Sequence, residues 1–97
     1  MTQTPDVTVH DALEAHRYQA TTEGEVAGYA AYRLADGVVT FTHTVVDPAH
    51  EGRGVGGALA RAALDDARSR GLAVEPLCPF IRSWIDRHPD YADLVVG

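Results

Sequence analysis

Three side chains in this 97-residue sequence could do chemistry where they stand: His43, Cys78 and Tyr91. An imidazole takes a proton near neutral pH, a thiol serves as nucleophile or acid, and a phenol can donate a proton. Each also has a bland reading: a hydrogen-bonded core histidine, a small residue buried at a corner, or a phenol packing the C-terminal end. A fourth feature has no reactive atom. Gly52-Arg53-Gly54-Val55-Gly56-Gly57 puts four glycines in six residues, which lets a ligand approach the backbone closely. If a helix begins there, its first amides are free to hold an anion, and Arg53 adds a charge-assisted contact. The ordinary alternative is a tight turn that needs glycine for its dihedral angles.

These residues must be positioned by the elements around them. Val7 and Val9 open a short strand, His16–Ala20 reads as a second, and Glu25–Leu34 as a third. Asp36-Gly37 between two strand-like runs is a strong hairpin signal. The run Val38–Val46 is β-branched and alternating, which predicts one face carrying Val39, Phe41, His43 and Val45 and the other Thr40, Thr42 and Thr44. After Asp47-Pro48 the period changes. Val55, Ala58, Leu59, Ala62, Ala63 and Ala67 recur at helical spacing, with Gly71 placed for a left-handed C-cap. Leu72–Leu77 reads as a strand and Pro79–His88 as a helix with proline in its first turn. Cys78 then falls at the N-terminus of that helix, where a thiolate is stabilised. Tyr91–Val96 is expected to add a last short strand. The fold class is therefore α+β: a mixed, mainly antiparallel sheet with a parallel βαβ unit and a C-terminal helix.

Ninety-seven residues allow a single domain, 1–97, with residues 1–5 expected to fray. A chain of this length buries roughly 60–70% of its unfolded surface, enough for a core without disulfides or a structural metal. The net charge is −6 and all eight cations are arginine. The absence of lysine excludes a lysine-dependent P-loop and Schiff-base chemistry. An acidic chain without a basic stripe is also a poor nucleic-acid binder. No apolar run approaches the roughly 18 residues that span a bilayer, and no signal peptide is visible. With one cysteine, these features suggest a cytoplasmic protein, and nothing demands an oligomer over a monomer. His10, His16, His50 and His88 show no metal-ligand spacing with Cys78, so no metal is expected.

Gly52, Gly54 and Gly57 match G-x-G-x-x-G with Glu75 beyond it, but Asp47–Glu51 intervene where a dinucleotide fold needs a tight turn. The stretch from Val45 to Gly56 instead resembles the pyrophosphate-binding segment of the GNAT superfamily, the acyl-CoA-dependent N-acetyltransferases. Gly54 and Gly56 match that pattern, whereas Glu51 stands where arginine or glutamine is expected. The ordered set Phe41-x-His43-Thr44-x-Val46, the glycine loop, Pro76-Leu77-Cys78-Pro79-Phe80 and His88-Pro89-x-Tyr91 is similar to the short, single-domain YjdJ-like branch of that superfamily.

The resemblance implies acetyl-CoA as co-substrate and an amine as acceptor. The backbone at Val45 and Val46 would pair with the pantetheine arm, and Arg53, Gly54, Val55, Gly56 and Gly57 would hold the pyrophosphate. His43 becomes a candidate general base, with Glu75 a weaker one. Cys78 becomes a leaving-group acid, an acetyl carrier or a pocket wall, and Tyr91 an alternative acid. A module that binds CoA with little catalysis is the competing expectation.

Overall fold

The computed structural model describes residues 7–51 and 54–96. Strands β1 (Thr8–Ala12), β2 (Arg17–Thr22), β3 (Glu25–Ala35) and β4 (Val38–Val46) form an antiparallel meander in sequence order. Helix α1 (Val55–Ser69) then carries the chain to β5 (Ala73–Pro76), which pairs parallel to β4, and helix α2 (Pro79–Arg87) follows. This is the α+β fold with a parallel βαβ unit that the sequence pattern predicts. The β3–β4 hairpin closes on Asp36 (φ 55°) and Gly37 (φ 75°), as the Asp-Gly signal requires. Helix α1 ends as expected at Gly71, whose N–H donates to the Arg68 carbonyl while the Leu72 N–H reaches the Ala67 carbonyl.

Both helices pack on one face of the sheet. Phe41, Leu59, Leu64, Val74 and Ile81 are fully buried between them, each contributing about 1.5–3 kcal/mol of transfer free energy. Tyr18 and Tyr32 reach past this core to carboxylates, Tyr18 Oη donating to Asp66 at 2.5 Å and Tyr32 Oη to Asp11 at 2.5 Å. Arg70 joins Asp11 (3.2 Å) and Asp66 (3.1 Å), tying the end of α1 to the meander. The other sheet face carries no helix among the described residues. No described helix is long and apolar enough to cross a membrane.

Two expectations are corrected. The segment Tyr91–Val96 is not a strand: Pro89–Leu94 forms a 3-10 helix, and only an isolated parallel bridge joins Val95 to Val74. Tyr91 and Leu94, three apart, are both buried, and a three-residue period brings them to one side where a strand would oppose them. The second correction concerns β4. Its alternation breaks at a β-bulge, because Ala31 pairs with His43 whereas Tyr32 pairs with Phe41, leaving Thr42 extra. Phe41 is therefore fully buried while His43 is exposed on the opposite, helix-free face.

Candidate functional site

The bulge and the end of β5 coincide. β4 pairs with β5 from Val38 to Phe41, and the last link is the Cys78 N–H donating to the Phe41 carbonyl at 2.9 Å. Beyond that point β4 continues against β3 alone, and its other edge opens into a gap. The Asp47 N–H donates to the Ala27 carbonyl on β3 at 2.7 Å. Antiparallel alternation then turns the amides of His43 and Val45 toward β3 as well, so those of Thr44 and Val46 face the gap. These donors suit an extended amide-bearing chain laid along the strand.

The helix side of the gap is filled by Thr44 and Cys78. Thr44 Oγ1 and Cys78 Sγ share a hydrogen bond of 3.3 Å, and Cys78 is 2% exposed. Cys78 is the N-cap of α2, where its side chain makes no capping bond. Leu77 and Phe80, beside it, are both substantially exposed.

Below the gap lies the start of α1. Gly54 (φ 78°, ψ 15°) is its N-cap, a left-handed conformation that a side chain would disfavour. The first intrahelical bond runs from the Ala58 N–H to the Gly54 carbonyl. The amides of Val55, Gly56 and Gly57 thus have no partner in the helix, and the dipole adds positive potential there. With Val46, His50, Glu51, Gly54 and Phe80 they line a depression of about 350 Å³. A Cβ on Gly56 would come within 2.6 Å of Phe80 Cζ, so the ring lies directly over this turn. A Cβ on Gly57 would lie 3.7 Å from Trp84 Nε1. Arg53 lies outside the described residues. A larger hollow, about 610 Å³, sits at the opposite end of the sheet around Leu13, His16 and residues 32–35 and shares no residue with this site.

The predicted residues are thus partly brought together. Val46, Gly54, Val55, Gly56 and Gly57 surround one depression, with Thr44 and Cys78 at the gap above. Val45 points its side chain to the helix-free face and is 41% exposed. His43 shares that face, in edge-on contact with Tyr29 (ring centroids 5.8 Å apart) and with Thr42 Oγ1 3.3 Å from its Nδ1. Glu75, paired with Thr40 just before the gap opens, accepts a hydrogen bond from Thr40 Oγ1 at 2.9 Å. Tyr91 stands apart. Its hydroxyl donates to Asp65 at 2.6 Å and accepts from Arg61 at 3.4 Å, on the flank of α1. That phenol is held above its ordinary pKa, first by the Asp65 hydrogen bond and then by burial.

Sequence reasoning did not single out Thr44, Phe80 or His50. The first two lie inside quoted motifs but carry no distinctive chemistry by type. His50 is 6% exposed, with Nε2 3.6 Å from Glu25 Oε2 and Nδ1 without a hydrogen-bond partner among the described residues. Among the described residues no cluster of three metal-ligating side chains occurs.

A family model described as GCN5-related N-acetyl-transferase matches residues 17–94. A GCN5-like protein from Staphylococcus aureus, solved by NMR, aligns at a TM-score of 0.68 and 21% identity, over 99% of this chain and 92% of that one. The ribosomal-protein-alanine N-acetyltransferase of Brucella melitensis biovar Abortus 2308 aligns at 0.62 and 16% identity, over 98% and 93%. At those identities the likeness establishes the fold. The ribosomal-protein-S18-alanine N-acetyltransferase of Escherichia coli aligns at 0.59 and 28% identity, over 62% of this chain but 39% of that one. No curated protein matches the chain by sequence.

Proposed function

The chain belongs to the GCN5-related N-acetyltransferase family, and on that premise we propose that it transfers acetyl from acetyl-CoA directly to an amine, without an enzyme-bound intermediate. One observation carries this reading: β4 and β5 part at Phe41, leaving the Thr44 and Val46 amides facing a gap directly above the free amides of α1. A pantetheine arm runs along the β4 edge, and its pyrophosphate rests on the amides of Val55, Gly56 and Gly57. Phe80 walls that turn. In a chain of net charge −6, backbone donors can hold phosphate without a matching number of cations.

The two faces of the sheet then divide the chemistry. Thr44 and Cys78 close the helix side, so the acceptor amine approaches from the helix-free face, where His43 stands. His43 removes the amine proton as the nitrogen bonds to the acetyl carbon. A gap-facing β4 amide stabilises the oxyanion. The carbon–sulfur bond breaks toward the helix side, where the Cys78 thiol supplies a proton to the departing sulfur; exchange with solvent then takes the proton from His43 and returns one to Cys78. The products are an N-acetyl amine and CoA.

Isothermal calorimetry with acetyl-CoA, followed by thiol release with an amine panel, tests the reading. Binding with amine-dependent release of free CoA is expected. Absence of binding at millimolar acetyl-CoA would overturn it, and tight binding with no transfer to any amine would make the chain a CoA-binding module.

A further inference from the structure

We infer that the acceptor amine carries a carboxylate one carbon away, as in a free α-amino acid, with Arg17 holding the carboxylate while the amine meets His43. The inference rests on the transferase reading and names its acceptor class. Arg17 pairs in register with Ala31 on β3, and Ala31 pairs with His43 on β4. Arg17 and His43 are therefore on the helix-free face, two strands apart, roughly 10 Å between backbones, with Ala31 between them on β3 and Tyr29 next to it on the same face. Tyr29 contacts both side chains. The Arg17 guanidinium carbon lies 4.4 Å from the Tyr29 ring centroid, and that centroid lies 5.8 Å from the His43 ring.

The guanidinium is pre-set for an anion. Its Nε donates to Gln19 Oε1 at 3.0 Å, and it stacks on Tyr29, which fixes the plane of the fork. Among the described residues it meets no carboxylate. A fork so held, half-buried and unpaired, matches the two oxygens of a carboxylate. On β5, just before the gap opens, Glu75 supplies the opposite charge, anchored by its in-register partner Thr40. The span fits as well. A hydrogen bond at each end of a two-carbon amino carboxylate covers on the order of 9 Å, within the reach set by the two ring distances. A peptide N-terminus offers an amide carbonyl in that place and leaves the guanidinium unpaired.

The test uses the intact chain with acetyl-CoA and three matched series: the common α-amino acids, their carboxamides, and the corresponding decarboxylated amines, with products read by mass spectrometry. The best amino acid should exceed its own amide and amine by at least about tenfold in kcat/KM, since losing a charge-assisted bond costs at least that factor. Arg17→Gln should raise KM for that acid by a similar factor without changing acetyl-CoA affinity in calorimetry, and Arg17→Lys should recover part of the loss. Equal use of amides or amines would overturn the inference and leave the transferase intact. So would an unchanged KM in Arg17→Gln, or acetylation of other amines only. Loss of acetyl-CoA binding by the unmodified chain would instead remove the transferase reading itself. If Arg17→Gln fails to fold, the comparison of acid with amide on the unmodified chain still decides.

Discussion

Thr44 Oγ1 meets Cys78 Sγ at 3.3 Å immediately beyond the last hydrogen bond between β4 and the β5 side of the chain. The contact closes the helix face of the gap and places the one thiol beside the proposed sulfur leaving group. With Cys78 as the acid, Cys78→Ala should lower kcat by about 10²-fold, the usual scale of proton-transfer catalysis. The small volume change should cost little stability. An acetylated-enzyme intermediate would add one acetyl mass to the protein during turnover, so intact-mass analysis showing such an adduct would replace direct transfer with a two-step route.

His43 is exposed on the opposite face, beside Thr42 and the edge of Tyr29. Its removal should therefore spare the fold. His43→Ala is expected to reduce kcat about 10²-fold with acetyl-CoA affinity and melting temperature unchanged. A loss seen in binding but not in turnover would assign His43 to substrate contact and leave the base unidentified.

Most of the architecture was legible because its signals are local. Asp36-Gly37, the helical period from Val55 and the terminal Gly71 each act through a few neighbouring residues. The β4 bulge was not legible. Val38–Val46 alternates without a fault, and alternation alone places His43 beside Phe41; the extra residue at Thr42 emerges only from the pairing of Ala31 and Tyr32 across the strand. That slip decides the site, since it sends His43 outward and turns Thr44 inward to Cys78. The free helix amides after the glycine loop were readable because they follow from where a helix starts. Arg17 was not, because its meaning lies in an aromatic partner twelve residues away. The C-terminal turn was missed for a similar reason: burial of Tyr91 and Leu94 on one side overrides a strand-like composition.

Two glycines should separate folding from binding. A Cβ on Gly28 would lie 2.6 Å from the Val45 carbonyl oxygen, a backbone atom that cannot retreat without moving β4. Gly28→Ala should cost about 1–3 kcal/mol and lower the melting temperature by roughly 4–8 °C per kcal/mol. A Cβ on Gly56 meets the Phe80 ring edge at the same distance, but that ring is 38% exposed and can swing. Gly56→Ala should leave the melting temperature nearly unchanged while weakening acetyl-CoA binding, because methyl and displaced ring both crowd the amides of α1. Equal effects of the two variants on stability and on affinity would contradict that division.

Alkaline pH should unfold the protein through Tyr18 and Tyr32. Both hydroxyls donate to carboxylates, Tyr18 to Asp66 and Tyr32 to Asp11. Burial first, and the neighbouring carboxylate second, hold the Tyr18 phenol far above its ordinary range and push Tyr32 up to about 12. The unfolded chain ionises its tyrosines near pH 10, so the folded state keeps protons that the unfolded state releases. The stabilisation is complete below about pH 10 and declines as pH rises toward 12 and beyond. Arg70, bound to both carboxylates, holds the acceptors in place across that window. Tyr18→Phe should cost about 1 kcal/mol at neutral pH through its lost hydrogen bond, yet flatten the fall in stability between pH 10 and 12. Urea denaturation midpoints measured across that range decide the matter. A variant whose midpoint falls as steeply as that of the unmodified chain would show that the alkaline sensitivity arises elsewhere.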